Sequence, residues 1–138
     1  MKRILLIVAV IIMAMVAMPV ACKYSEQPHT YYDSYSTNLH KGLWVPVIFP
    51  TDIVEIHEQH DIDTNQVWLK FTSGKQKINL KQFTETDRSK IKLSKPFITT
   101  WWFNELPSHY SIYQGLCSNN EKSQIAISTE SKVVYWWC

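Results

Sequence analysis

The sequence predicts an α+β domain, dominated by an antiparallel sheet and ending in a C-terminal β-meander, behind an export signal and a flexible tether. Three observations predict it. An unbroken apolar run near the N-terminus ends at a cysteine. Two short alternating segments flank a polar turn in the middle of the chain. The last third holds three stretches rich in aromatic and β-branched residues, separated by Ser, Asn and Thr.

The first 21 residues read as a signal peptide. Met1-Lys2-Arg3 is basic, Ile4 to Met18 is apolar throughout, and Pro19-Val20-Ala21 leads through small residues to Cys22. The run is slightly shorter than the roughly 20 apolar residues a membrane span needs, which favours cleavage over an uncleaved anchor. Val20-Ala21-Cys22 resembles the end of a bacterial lipobox, in which the cysteine thiol receives a lipid and becomes the mature N-terminus. By that resemblance Cys22 is the lipidation site, with ordinary cleavage after Ala21 as the competing route. Lys23 after the cysteine is unlike the Asp that retains some enteric-type lipoproteins in the inner membrane, so the resemblance leans towards the outer membrane. The expected address is the cell envelope, lipid-anchored, with the domain facing the periplasm or exterior.

Cysteine count agrees with that reading. The chain has three cysteines, Cys22, Cys117 and Cys138. Lipidating Cys22 leaves an even pair in an oxidising compartment, so a Cys117–Cys138 disulfide is expected. Charge narrows the partners. Lys2 and Arg3 leave with the signal, so the 14 basic side chains of the full chain fall to 12, equal to its 12 acidic ones. A neutral mature chain lacks the excess of Lys and Arg that phosphate backbones demand, and nucleic acid is excluded as a partner. The remaining 117 or so residues suffice for one domain.

Residues 22–41 read as the lipidated N-terminus and a tether. Lys23 to Leu39 is rich in Tyr, Ser, Thr and His, contains Pro28 and has no apolar period, so it is expected to stay flexible. The α+β domain then occupies 42–138. Leu43 to Phe49 is apolar on consecutive positions, and Pro46 confines it to an edge strand or an irregular extended segment. Val54, Ile56 and Glu58 alternate with Glu55 and His57, and Val67, Leu69 and Phe71 alternate with Trp68 and Lys70, with Asp61 to Asn65 as the turn between. These form a hairpin. Between Ser73 and Leu93 the pattern leans towards one or two short helices, with Thr84 as an N-cap before Glu85 and Asp87. Tyr110 to Leu116, Gln124 to Ser128 and Lys132 to Trp137 make the meander. The aliphatic-Pro segment at Val47 to Pro50, the strand at Asp52 to His57, the segment Val67 to Phe71, and Tyr110, Cys117, Ile125-Ala126-Ile127 and Val133 to Trp136 together resemble uncharacterised small bacterial lipoproteins and periplasmic proteins. That group implies fold and location and brings no catalytic residues with it.

No pattern demands a cofactor, a metal or a catalytic centre. His57-Glu58-Gln59-His60 has one residue too few between Glu and the second His for a zinc helix, and on a strand positions 57 and 60 face opposite ways. Asp61, Asp63 and Asn65 copy the first spacings of a calcium loop, but Gln66 stands at its glycine position and Thr72 at its bidentate glutamate. As carboxylates on a polar turn, Asp61 and Asp63 are expected to be solvated and of ordinary acidity. No serine sits in a nucleophile elbow, so an enzyme is not expected. The six tryptophans are the unusual feature. In the adjacent pairs Trp101-Trp102 and Trp136-Trp137, strand alternation sends one ring inward and its neighbour outward, so these four residues are the candidate binding surface. The function this supports is a noncatalytic envelope lipoprotein that binds a protein partner, as an immunity or inhibitor protein does. The alternative is a structural or accessory lipoprotein of envelope assembly.

Overall fold

A seven-stranded antiparallel sheet organises the computed structural model, which describes residues 2–35, 48–97, 100–117 and 121–138. An N-terminal helix, α1 (Lys2–Glu26), precedes β1 (His29–Ser34), β2 (Val54–His60), β3 (Val67–Thr72), β4 (Thr84–Glu85), β5 (Tyr110–Leu116), β6 (Lys122–Ser128) and β7 (Val133–Trp137). In space the strands run β1-β2-β3-β7-β6-β5-β4, every neighbouring pair antiparallel. The fold is therefore α+β and mostly sheet. The expected hairpin is β2–β3, and the expected meander is β5–β6–β7. The expected edge segment from Leu43 falls outside the described residues up to Val47, and Ile48 and Phe49 make a turn.

The side-chain alternation builds two cores, one on each face of the sheet. Val67, Leu69 and Phe71 of β3 meet Val134 and Trp136 of β7, Ile125 of β6 and Ile56 of β2 on the first face, which Phe49, Ile53 and Tyr35 cover. On the second face Trp68, Trp137, Ala126 and Ile112 pack with Trp102 and Leu106. Ile91 and the stretch from Trp101 to Leu106 thus cover the second core. This corrects the tryptophan reading. Trp136 and Trp137 do point to opposite faces, but both faces are covered, and the two rings are only 4% and 2% exposed. Trp102 is buried as well, edge-on to Tyr135 and Trp137. Only Trp101 of the four keeps part of its ring in solvent.

Two further expectations are corrected. The tether is ordered over much of its length, because α1 runs on through Pro19 and Cys22 to Glu26, and His29–Ser34 pairs with β2 from His29↔Gln59 to Ser34↔Val54. A polar strand suffices at a sheet edge, where only Tyr32 packs on the core. Between 73 and 93 there is no α-helix. Asn79 and Asp87 accept from the local backbone N–H groups of Lys81 and Ser89 instead, and the segment forms β4 and one 3-10 turn (Arg88–Lys90). Its N-cap is Asp87, not Thr84, which lies in β4 opposite Gln114. Arg88 then reaches across to the carbonyl oxygens of Leu106, Pro107, Ser108 and Tyr110, which fixes the chain leading into β5.

Candidate functional site

Two groups of polar and aromatic side chains stand where α1 and β1 meet β2. The first is built on Asp61, which closes β2. Its carboxylate is only 2% exposed. Oδ1 accepts from the backbone N–H groups of Asp63 at 3.1 Å and Thr64 at 2.9 Å, an Asx turn that folds the chain towards β3. Oδ2 accepts from the Lys23 ammonium at 2.9 Å and the Gln27 amide at 2.5 Å. Burial alone would raise the pKa of this carboxyl, but the Lys23, Gln27 and Thr64 donors outweigh it and hold the group ionised well below the usual carboxylate range. The expectation of a solvated Asp61 of ordinary acidity is therefore overturned, while Asp63 is exposed. Gln27 completes the junction. Its side-chain oxygen accepts from Phe97 N at 2.6 Å, its backbone oxygen from the Gln59 amide at 3.0 Å, and Ile62 N donates to Glu26 O at 2.9 Å.

The second group lies on the neighbouring part of β1 and β2. His29 and His57 are diagonal neighbours in the register, since His29 opposes Gln59 and Tyr31 opposes His57. Their rings are nearly parallel, 8° apart, with Nε2 of His29 3.3 Å from Nδ1 of His57, which places them edge to edge. Trp101 lies over both, 5.4 Å from each centroid, and Tyr31 tilts against His57 at 4.8 Å. Burial lowers the pKa of both imidazoles, and Lys70 and the neighbouring His29 lower that of His57 further, which favours the neutral rings. Beside them a depression of about 200 Å³ is lined by Tyr31, Glu55, His57, Lys70, Thr72 and Val133. That is below the roughly 300–1,000 Å³ of clefts that engulf small molecules, and suits a side chain from another surface better than a substrate. A β-bulge shapes its floor: the register slips between Val54 and His57, Glu55 takes φ 53°, and Thr72 Oγ1 donates to Glu55 Oε2 at 2.7 Å.

The remaining sequence candidates are dispersed. His57 belongs to the ring cluster, whereas His60 lies beside Glu58, 3.8 Å from its carboxylate, so the two histidines do not converge. No group of three metal-ligating side chains occurs among the described residues. Cys117 and Cys138 come within disulfide reach, α-carbons 6.1 Å apart. They do so although β6 separates their strands: Cys117 lies just past Leu116, the last paired residue of β5, with its N–H donating to Glu121 O, and Cys138 follows Trp137 and exchanges backbone hydrogen bonds with Val67. Cys22 is exposed on α1 and is the free cysteine among the described residues. Sequence reasoning missed His29, Tyr31, Gln27 and Lys23 as parts of a site because it placed them in a tether. The signal that could have found them is the alternation of His29, Tyr31 and Asp33 with Thr30, Tyr32 and Ser34, half aromatic and free of proline.

A family model, the YbbD head domain, matches residues 26–72. That stretch is about a third of the chain, and it begins at the last residue of α1 and ends at the last residue of β3. It contains Gln27, His29, Tyr31, His57 and Asp61 and leaves out Trp101 and the meander. No curated protein and no solved structure matches the chain. The N-terminal helix, with mean hydropathy 3.0 over its apolar window and none of that window buried, is of the kind that a signal sequence or a membrane anchor requires.

Proposed function

We propose that this chain is an envelope lipoprotein, joined to lipid through Cys22, whose domain binds a protein partner without catalysis, as an immunity or inhibitor protein does. The observation that carries the binding reading is the partly exposed cluster of Tyr31, His29, His57 and Trp101 beside the outer strand β1. Rigid aromatic rings at low entropic cost are the usual anchors of protein interfaces. β1 adds a second element, since it ends the strand order and five of its six residues are exposed, so that among the described residues no strand pairs with its outer backbone. The lipoprotein reading is supported by the exposed free thiol of Cys22 at the end of an apolar helix.

Both parts are tested in the host envelope. Replacing Tyr31 by a photoreactive benzoylphenylalanine in the full chain is expected to give one discrete protein adduct on irradiation, lost when Trp101→Ala is added. The same probe at Glu130 is expected to give none. Adducts of equal yield from both positions, or none from position 31, refute the binding face. Cys22→Ser is expected to abolish incorporation of labelled palmitate, and persistent labelling refutes lipidation at that residue.

A further inference from the structure

One end of the sheet differs in character from the other. The antiparallel register gathers the β2–β3 turn, the end of β7 at Trp137, the start of β6 at Lys122 and the end of β5 at Leu116 at a single end. Ile62 stands in that turn 57% exposed, and Leu116 is 66% exposed. At the opposite end, the β6–β7 turn of Thr129, Glu130, Ser131 and Lys132 is exposed and polar throughout.

The helix enters at the apolar end and is tied there. Lys23 bonds Asp61, Glu26 O accepts from Ile62 N, and Gln27 is buried between β2 and Phe97. Cys22 is one residue from Lys23, and consecutive α-carbons are about 3.8 Å apart. No slack chain lies between the attachment point and the folded body. Tyr24, 68% exposed beside it, is a residue favoured at the membrane interface.

We infer that this end of the sheet sits on the bilayer, with Ile62 and Leu116 dipping into the lipid interface and the strands standing upright on it. The inference rests on membrane attachment through Cys22 or the helix, and adds the surface that meets the lipid. Ile62 lies in the turn between β2 and β3, four and three strand spacings from β5, so the two apolar side chains form a rim about 14–19 Å wide, a base broad enough to stop the domain from rocking. Asp63, Asn65, Glu121 and Lys122 share this end and are exposed. They hold the contact at headgroup depth, where an apolar face penetrates roughly 5–10 Å.

The test uses the full chain reconstituted in vesicles of phosphatidylethanolamine and phosphatidylglycerol, with benzoylphenylalanine placed in turn at Ile62, Leu116 and Glu130. All three positions are exposed, so the probe disturbs no core. Irradiation is expected to yield phospholipid adducts, read by mass, from positions 62 and 116 and none from 130. A chain that sediments with the vesicles but gives no lipid adduct at 62 and 116, or gives as much at 130, overturns the orientation and leaves the attachment standing. A chain that does not sediment with the vesicles overturns the attachment, and the orientation with it.

Discussion

Replacing Asp61 by alanine should cost the domain about 3 kcal/mol, and the two halves of the carboxylate share that loss unequally. Oδ2 is the acceptor for the buried Gln27 amide, and Gln27 is 7% exposed. With no acceptor, that amide keeps its desolvation penalty of about 1–3 kcal/mol. Oδ1 serves the N–H groups of Asp63 and Thr64, which lie on an exposed turn and regain water when the side chain is cut back. Their loss is smaller, about 1 kcal/mol together. Asp61→Asn separates the two. It keeps the turn acceptor but points an NH₂ at the Gln27 amide and the Lys23 ammonium, so it should lose about 2 kcal/mol. Urea unfolding of the full chain in mild detergent at pH 7, followed by tryptophan fluorescence, should rank parent above Asn above Ala. Acid titration adds a sign. The folded carboxyl is held below its unfolded value of about 3.9, so its contribution is present above that pH and is lost as pH falls through and below it. The Asn variant should lack that loss. An Asp61→Ala chain within about 0.5 kcal/mol of the parent, the ordinary range for surface substitutions, would refute the reasoning.

Three other outcomes are expected. Bridging Cys117 and Cys138, 21 residues apart, should stabilise the domain by about 3 kcal/mol, seen as a fall in melting temperature on reduction; two thiols alkylated without reductant rule the bridge out. Gly74→Ala should destabilise by about 1–3 kcal/mol, the usual cost of overpacking, because the new methyl group meets the Asp52 carboxylate and carbonyl, and that carboxylate receives the Lys75 and Gln76 N–H groups; an unchanged melting temperature contradicts this. The depressed His29 and His57 contribute stability above pH of about 6.5 that is lost as pH falls below it. Acidification should therefore weaken the parent more than His57→Gln, and parallel pH profiles for the two would count against the coupled pair.

Much of the sheet was legible because β-strand alternation is a local signal. Val67 to Phe71 and Val133 to Trp137 announce their strands by residue type, and the turns at Asp61 to Asn65 and Thr129 to Ser131 carry their own chemistry. What no local signal conveys is that β7 slots between β3 and β6, or that Ile91 and the stretch from Trp101 to Leu106 lie over the second face. One ring of the Trp136-Trp137 pair was therefore expected to face solvent, and both are buried. β1 was hidden for the opposite reason: an edge strand needs one buried contact, Tyr32, so its composition is that of a loop. The site was the least legible part. Asp61 reads as a turn residue and is one, but its second oxygen answers to Lys23 and Gln27, 38 and 34 positions earlier.

The place of β7 governs when the protein can fold. Until Val133–Trp137 is in place, the sheet consists of two pieces, β1–β2–β3 and β6–β5–β4, each with an open inner edge and part of each core. Neither piece can close its cores alone. Docking of the seventh strand then joins both at once, and brings Cys138 up to Cys117 in the same step.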